Sequence, residues 1–506
     1  MIVDSAQRSI NQEIRTAVRH SAVYGLGNMM TRAIGFLMLP LYTHYLSPQD
    51  YGILEILDLS MSLVGMFLNM GIMAALLRFY NQSKTDADKR RVVSTAFQFV
   101  IATGLATWLL AALFARPISS LLFSHDVPAK YFTVYFTSFT LGYITSVPNS
   151  YLQAKEASTT LALADILTLL SILTLNVYFI AVLKIGLIGI LVSPLLTGII
   201  RATIFAFWTI REVGFGLDWS RLRGMLGFGA PLIFSNLAMF TLNFSDRFFL
   251  QHLRSLDIVG IYAVGYKFGY MLNLLLIQPF LLMWQARMYL IQERADRDAV
   301  FGRIFILYSS LLLFGALALS LFSHEIVRVM VDARFAPSQG IIPVVAFAYV
   351  AYGIASFFQG GLLLAGRTYM IGMSSAFAAL FNLGLNYILI SRYGMMGAGW
   401  ATVLSFLAIA VGNGYFSWSN FTGILRVGRF QIALLVAVVL YLLSLSLNFE
   451  SVLAVLAKVT LLAAFPIVMV TCVFSPQERE ALISIKDSVF SKGTRLLGLA
   501  ARRAGV

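Results

Sequence analysis

Apolar runs of about 20 residues recur along the chain from residue 22 to residue 474, separated by short polar breaks. Each run is long enough to cross a hydrocarbon core of about 30 Å. A bilayer offers no hydrogen-bond partners to backbone amides, and the runs lack the strict alternation of barrel strands, so each run is predicted to be a helix. The predicted fold class is therefore an all-α polytopic membrane protein.

About fourteen transmembrane helices account for nearly the whole chain and leave no soluble domain. Only 12% of the 506 residues are charged, against about 25% in a typical soluble domain. The predicted spans lie at residues 22–46, 52–77, 93–114, 131–152, 161–183, 187–209, 225–251, 258–286, 304–326, 341–364, 370–391, 396–418, 431–447 and 451–474.

The net charge of +14 would raise the question of nucleic acid in a soluble protein. In a membrane protein the placement of the cations matters more, because cytoplasmic loops are enriched in Lys and Arg. With the N-terminus inside, 25 of the 37 Lys and Arg residues lie in cytoplasmic segments and 7 in outer loops. Both termini are therefore predicted to be cytoplasmic, and no nucleic acid partner is expected.

Two parts of the chain look like repeats of each other at an offset of 208 residues. Tyr51-Gly52-Ile53 falls on Val259-Gly260-Ile261, and the outer turn at 184–189 falls on the one at 392–397. We therefore predict an N-lobe (22–210) and a C-lobe (225–418), each of six helices and related by a pseudo-two-fold axis along the membrane normal, with a central cavity between them.

Three further segments lie outside these lobes. Residues 431–474 form two extra helices of unassigned role. The N-terminal segment 1–21 and the basic tail 475–506 are amphipathic, and such segments suit the cytoplasmic lipid surface.

No enzyme signature is present in the sequence. The chain lacks a phosphate-binding glycine loop and a His-Glu-x-x-His motif, and Cys472 is its single cysteine. Membrane glycosyl-transfer enzymes usually need sizeable polar loops, so outer loops of about 4 to 17 residues argue against catalysis. We therefore expect no catalytic residue, no metal and no cofactor.

Ionisable groups within spans are the candidate functional residues, because each costs about 2.5 kcal/mol or more at mid-bilayer. Arg32 lies near the middle of the first span and shares a helical face with Asn28. The seventh span carries a second polar stripe. The candidate substrate-binding residues are Asn28, Arg32, Arg201, Asn236, Asn243, Arg247 and Lys267.

Two interpretations of these cations remain open. They hold a phosphate or pyrophosphate in a wet cavity, or they form salt bridges within one lobe, with Asp246 and either Arg247 or Lys267 as the obvious pair. The acidic residues in spans either bind a coupling proton or sodium ion or neutralise nearby arginines, and neutralisation is favoured. These acidic residues are Glu55, Asp58, Asp165 and Asp246.

Five segments resemble one known family in order along the chain. The run Thr31–Thr43, continuing through Leu46–Gly52, is similar to the opening of Wzx-type O-antigen and exopolysaccharide flippases. Four later segments agree with the habitual sequences of that family. These are Asp246–Leu250, Gly260–Ala263, Gly366–Thr368 and Gly394–Thr402.

The resemblance implies the fold of the multidrug, oligosaccharidyl-lipid and polysaccharide exporter superfamily in a bacterial inner membrane. It implies translocation of undecaprenyl-pyrophosphate-linked oligosaccharide from the cytoplasmic to the periplasmic leaflet, with membrane lipids, a polysaccharide polymerase and a chain-length regulator as partners. A cation-lined cavity belongs to this expectation, supplied by Arg32 and the Asp246–Arg247 pair.

Four alternatives remain open, one of them a structural scaffold for the glycan assembly machinery, which would not explain Arg32 near mid-membrane. Within the superfamily, the protein is a cell-wall lipid-precursor flippase or a cation-coupled drug exporter, although a drug exporter would need a mainly acidic cavity. From another class, a membrane-embedded glycan polymerase or ligase would require a long catalytic outer loop.

Overall fold

The computed structural model of the chain describes residue 36 and residues 38–123, 127–417, 427–446 and 452–480. Across these ranges the regular structure is helical, with no strand. The predicted amphipathic N-terminus, most of the first span and most of the basic tail lie outside the described residues. Arg32 and Asn28 lie outside them as well.

Helices follow one another along the described chain with short connections. In the first half they are α1 (Leu39–Tyr45), α2 (Pro48–Asn69), α3 (Ile72–Gln82), α4 (Asp86–Leu113), α5 (Ala115–Leu122), α6 (Ala129–Ala154), α7 (Ser158–Val177), α8 (Leu187–Val213) and α9 (Trp219–Leu253). In the second half they are α10 (Leu256–Leu272), α11 (Gln278–Gln292), α12 (Arg297–Leu321), α13 (Ser323–Met330), α14 (Ile341–Leu364), α15 (Thr368–Tyr393), α16 (Met395–Ser417), α17 (Val427–Ser444) and α18 (Val452–Val468).

Ten helices in the described ranges are long and apolar enough to cross a membrane, where α2 with α3 and α10 with α11 each count as one. Every predicted span from 52–77 onward falls on a helix of the structure. The all-α prediction is therefore confirmed, and the chain is a multi-pass integral membrane protein.

The start of α2 is fixed by its own sequence. The Ser47 hydroxyl accepts the Asp50 backbone N–H at 3.1 Å, and the Asp50 carboxylate accepts the Ser47 backbone N–H at 3.1 Å. Pro48, the first helical residue, has no N–H to leave unbonded. This capping box sets the direction of the helix that carries Glu55 and Asp58.

Each of the two outer turns that the sequence repeat aligns contains a glycine with positive φ. Gly186 precedes α8 with φ of 65°, and Gly394 precedes α16 with φ of 58°. Both values lie in the left-handed region, which residues with a Cβ rarely adopt. The two turns therefore share a left-handed glycine before the next helix, although Lys184 before the first has φ of 53° and Arg392 before the second is helical.

The described chain divides into two compact units. Unit 1 comprises the residues up to Val264 together with Arg328–Pro337 and Ala379–Ala398, and unit 2 comprises Gly265–Val327, Ser338–Ala378 and the residues from Gly399 onward. In unit 1, α6 packs against α8 and α4; in unit 2, α12 packs against α14, α17 and α18. The predicted lobe boundaries stay predictions.

Candidate functional site

Three helices of unit 1 bring polar side chains together. On α2, Glu55, Asp58, Ser62 and Asn69 are three, four and seven residues apart, a spacing that places them on one helical face. Helix α2 contacts both α6 and α9. The polar residues of α6 and α9 described next meet this face of α2.

Near the start of α2, Arg247 of α9 is enclosed by two carboxylates. Its Nη1 lies 2.7 Å from Oδ1 of Asp246, and its Nε lies 3.7 Å from Oε1 of Glu55. The side chains of Arg247 and Asp246 are each 2% exposed, and that of Glu55 is 13% exposed. Glu55, Asp246, Arg247 and Tyr262 are called the Arg247 cluster below.

Asp246 bonds to two helices at once. Its Oδ1 also accepts the backbone N–H of Arg247 at 3.0 Å, and its Oδ2 accepts the Tyr262 hydroxyl of α10 at 2.5 Å. The Arg247 guanidinium lies 5.1 Å from the centre of the Tyr262 ring. The bond between Tyr262 and Asp246 therefore joins α10 to α9. Losing it would be destabilising, because it would leave a buried carboxylate with fewer partners. The structure therefore shows the salt bridge of Asp246 with Arg247, which is one of the two interpretations that the sequence leaves open.

Helices α2 and α10 are in backbone contact at Gly52 and Gly260, the glycine pair that the sequence repeat aligns. A Cβ atom on Gly52 would lie 2.0 Å from the carbonyl oxygen of Leu256, and one on Gly260 would lie 2.0 Å from that of Pro48. No side chain fits at either position without moving backbone. The two glycines therefore allow the close approach of α2 and α10.

Farther along α2, the carboxylate of Asp58 accepts a hydrogen bond of 2.6 Å from the Tyr135 hydroxyl of α6. Beyond it lies a cavity of about 700 Å³ bounded by α2, α3, α6 and α9, called the Asn236 cavity below. Among the described residues that line it there is no Lys or Arg. They are Ser62, Gly65, Met66, Asn69, Gly71, Met73, Ala74, Phe139, Gly142, Tyr143, Ser146, Ile233 and Asn236.

The span that begins with α2 is interrupted at the Asn236 cavity. Helix α2 ends at Asn69, Met70 and Gly71 have φ of 41° and 67°, and α3 begins at Ile72. Interrupted backbone at membrane depth is tolerated where protein buries it or where it lines a water-filled cavity. The break packs on one side against the backbone of Gly229 in α9, and on the other side it lines this cavity.

Arg201 lies elsewhere in unit 1, between α7 and α8. Its Nη2 is 2.7 Å from Oδ1 of Asp165 and 2.9 Å from Oδ1 of Asn149, and its Nη1 is 3.2 Å from Oγ1 of Thr168. None of these four residues lines the Asn236 cavity. Asp165 thus forms an ion pair with Arg201, its neutralising role stays a prediction, and the structure does not bring Arg201 into the Arg247 cluster.

The remaining predicted binding residues do not lie together in one site. Asn236 lines the cavity that carries its name, while the Asn243 amide donates to a carbonyl of its own helix at 2.8 Å. Lys267 is exposed and belongs to unit 2. Arg32 and Asn28 lie outside the described residues, so their place at a cavity stays a prediction.

Three tyrosines of the site were not selected by sequence reasoning. Tyr135 and Tyr262 bond the carboxylates of Asp58 and Asp246, and the Tyr143 hydroxyl donates to a carbonyl just before the helix break at 2.8 Å. The chain has 22 tyrosines, so residue type alone does not distinguish these three. The available signals were the eight-residue spacing of Tyr135 and Tyr143 on α6 and the position of Tyr262 in a family-like segment.

The family model described as "Polysaccharide biosynthesis protein" matches residues 17–283, which is more than half of the chain. The chain belongs to this family. The matched region contains α2, α6 and α9, so it includes the Asn236 cavity and the Arg247 cluster. Membership of the polysaccharide biosynthesis family confirms the resemblance seen in the sequence.

Two solved structures have the same fold as this family member. Lipid II flippase MurJ in an inward closed conformation has a TM-score of 0.66 at 13% identity, covering 89% of this chain and 98% of that chain. An inward-facing multidrug resistance MATE family transporter of the MOP superfamily has a TM-score of 0.60 at 15% identity, covering 79% and 94%. The predicted exporter-superfamily fold is confirmed.

A curated relative matches over a shorter region. It is an uncharacterized membrane protein of Haemophilus influenzae, 22% identical over 265 residues, which are 51% of this chain and 62% of that protein. The match therefore spans less than two thirds of the relative's length.

Proposed function

We propose that this protein translocates undecaprenyl-pyrophosphate-linked oligosaccharide repeat units from the cytoplasmic to the periplasmic leaflet of a bacterial inner membrane. The product would serve the assembly of a surface polysaccharide such as O-antigen or exopolysaccharide. The observation that carries the proposal is the Asn236 cavity, a space of about 700 Å³ with several polar side chains in its lining, among membrane helices of a polysaccharide biosynthesis family member.

The lining of the cavity suits a glycan. Asn69, Asn236, Ser62 and Ser146 offer neutral amide and hydroxyl groups, which exchange hydrogen bonds with sugar hydroxyls without needing a counter-ion. The aromatic ring of Tyr143 adds a flat apolar surface. A cationic drug would find no carboxylate among the described lining residues, which argues against the drug-exporter alternative.

The pyrophosphate would lie near the helix break. Helix α3 begins at Ile72, and Gly71, Met73 and Ala74 at its start line the cavity. Backbone N–H groups at a helix N-terminus attract phosphate groups. We propose that this end of α3, together with the cation predicted at Arg32, holds the charged headgroup while the prenyl chain stays in lipid.

Alternating access would follow from the order of features along α2. Asn69 at the cavity and Glu55 in the Arg247 cluster are fourteen residues apart, about 21 Å along a helix. With the predicted orientation, the cavity lies toward the cytoplasm and the cluster toward the periplasm. Opening toward the periplasm would require the contacts of α2 with α10 at Gly52 and Gly260 to separate.

Several further features belong to the same proposal. The protein would act without catalysing a chemical step and without a cofactor, with a proton or sodium gradient as its energy source. Its termini would face the cytoplasm. A polysaccharide polymerase would use the translocated unit, and a chain-length regulator would control the product.

A reconstituted transport assay tests the function. Purified protein in liposomes receives fluorescent undecaprenyl-pyrophosphate oligosaccharide, and a membrane-impermeant quencher reports how much crosses to the opposite leaflet. We expect crossing to depend on the protein and to accelerate with an imposed ion gradient. Equal crossing in protein-free liposomes would overturn the proposal.

A cell-wall lipid precursor is the second candidate substrate, because the fold matches lipid II flippase MurJ at a TM-score of 0.66. The same liposomes loaded with fluorescent lipid II distinguish the two. Faster crossing of lipid II than of the oligosaccharide-bearing lipid would favour this second substrate over the first.

A further inference from the structure

A second cavity of unit 1 opens between α7 and α8, away from the Asn236 cavity. It has a volume of about 690 Å³ and is called the α7–α8 groove below. Several of its wall residues are strongly exposed, including Leu167, Leu170, Ile200 and Ile204. Its lining is Ala164, Leu167, Thr168, Leu170, Ser171, Thr174, Leu175, Leu196, Thr197, Ile200, Arg201, Ile204 and Phe205.

The hydroxyl groups in the wall of this groove donate hydrogen bonds to carbonyl groups of their own helices. Thr168, Ser171, Thr174 and Thr197 each donate to the carbonyl one turn earlier, at 2.7, 2.8, 2.9 and 3.0 Å respectively. The wall therefore presents mainly methyl and methylene groups. An apolar chain fits such a wall better than a polar ligand does.

The charged residue in the wall already has a counter-ion. Arg201 bonds to Asp165 at 2.7 Å and to Asn149 at 2.9 Å. A ligand anion would have to displace that carboxylate, so Arg201 does not favour a headgroup at this depth. The headgroup of a lipid in the groove must lie farther along α8.

One face of α8 leads from the groove to a cation at the end of the helix. Leu196, Ile200, Ile204, Phe207 and Arg211 are four, four, three and four residues apart, and all five are exposed. Arg211 lies about 10 Å beyond Ile204 and about 22 Å beyond Leu196, at a rise of 1.5 Å per residue. The distance of about 22 Å from Leu196 to Arg211 is close to the depth of one bilayer leaflet with its headgroup region, about 20 Å.

The carboxylate next to Arg211 is engaged elsewhere. Glu212 bonds to Lys155, just after the end of α6, and accepts the Tyr151 hydroxyl of α6 at 3.1 Å. Glu212 is therefore paired with a residue other than Arg211, whose exposed guanidinium can contact a ligand at the membrane surface. A single arginine matches the single charge of a phosphodiester better than the multiple charges of a pyrophosphate.

We propose that the α7–α8 groove is a binding site for an anionic phospholipid of the surrounding leaflet, separate from the translocation cavity. One acyl chain lies in the groove between Leu196 and Ile204, and the phosphate binds Arg211. The match between the length of this face and one leaflet favours a phospholipid over the longer prenyl chain of the proposed substrate.

Native mass spectrometry of the full-length protein in detergent tests the site, with palmitoyl-oleoyl phosphatidylglycerol and phosphatidylcholine as probes. Wild-type protein should retain phosphatidylglycerol preferentially. Arg211→Gln should lower phosphatidylglycerol affinity by about tenfold, because it removes one charge-assisted bond, and should lower phosphatidylcholine affinity less, because choline already offsets the phosphate charge there. Ser171→Phe, which fills the groove from an exposed position, should lower the affinity for both lipids.

Matched controls separate the site from general effects. Arg297→Gln removes a half-exposed arginine from unit 2, and Leu113→Phe enlarges an exposed side chain on α4. Both should bind like wild type. Equal retention of the two lipids by wild type, or equal losses in Arg211→Gln and Arg297→Gln, would refute the proposal. Undecaprenyl phosphate is the third probe. If Arg211 retained it more strongly than phosphatidylglycerol, the occupant of the groove would be the prenyl lipid and the phospholipid proposal would be wrong.

Discussion

A guanidinium that is 2% exposed inside a membrane protein is stable there only where other groups replace its hydrogen bonds to water. Arg247 meets this condition through Asp246 and Glu55, and Asp246 in turn bonds to Tyr262. These contacts give Arg247 a role in joining α9 to α2 and α10. At the residue scale, the positive charge of Arg247 is thus already balanced by carboxylates within unit 1.

Asp246→Asn should destabilise the folded protein by about 3 kcal/mol, because it leaves the buried Arg247 without its nearest carboxylate. Thermal unfolding of the detergent-purified protein measures the loss. Asp298→Asn removes a half-exposed partner of Arg297 at 3.6 Å and should change stability by less than about 1 kcal/mol. Similar unfolding temperatures for the two variants would contradict this account of the cluster.

Gly52→Ala should cost about 1–3 kcal/mol, because the added Cβ would lie 2.0 Å from the backbone oxygen of Leu256 and force α2 from α10. Gly142→Ala is the matched control, since an added Cβ there has no neighbour within 4 Å. Unfolding measurements on both variants check the difference. A Gly52→Ala protein as stable as Gly142→Ala would mean that the two helices are not in backbone contact.

At the scale of elements, the start of α9 depends on a titratable cap. The Asp218 carboxylate accepts the backbone N–H groups of Ser220 and Arg221, each at 3.1 Å, and the Arg221 guanidinium at 3.0 Å. These bonds, with the backbone N–H of Arg221 first among them, hold the pKa of Asp218 below its usual value. The ionised carboxylate therefore stabilises the helix that carries Asn236 and Arg247.

The expected pH dependence follows from that lowered pKa. The contribution of Asp218 is present above the unfolded-state pKa of about 3.9 and is lost as the pH falls through the lower folded-state pKa. Asp218→Asn keeps an acceptor for the cap but does not titrate. The difference in unfolding temperature between wild type and Asp218→Asn should therefore shrink between pH 5 and pH 3. A constant difference across this range would disprove the linkage.

At the scale of the whole molecule, periodicity and length were enough to predict helices, since every predicted span from 52–77 onward falls on one. The Asp246–Arg247 pair was predictable because its residues are adjacent. Glu55 and Tyr262, the other residues of the Arg247 cluster, are distant from that pair in sequence. Arg201 lies outside the cluster because it pairs with Asp165 of α7. Such pairings depend on which helix faces pack together, and apolar patterns in a membrane leave that choice open.

Ser146→Trp should block translocation while preserving the fold, because Ser146 lines the Asn236 cavity and a large ring would occupy part of its volume of about 700 Å³. Ser120→Trp introduces the same ring at an exposed position on α5 and should transport like wild type. Leaflet crossing of the fluorescent oligosaccharide-bearing lipid measures both, at matched reconstitution and unfolding temperature. Wild-type crossing by Ser146→Trp would show that the substrate headgroup does not pass through this cavity, because a bound glycan and an indole ring would compete for the same space.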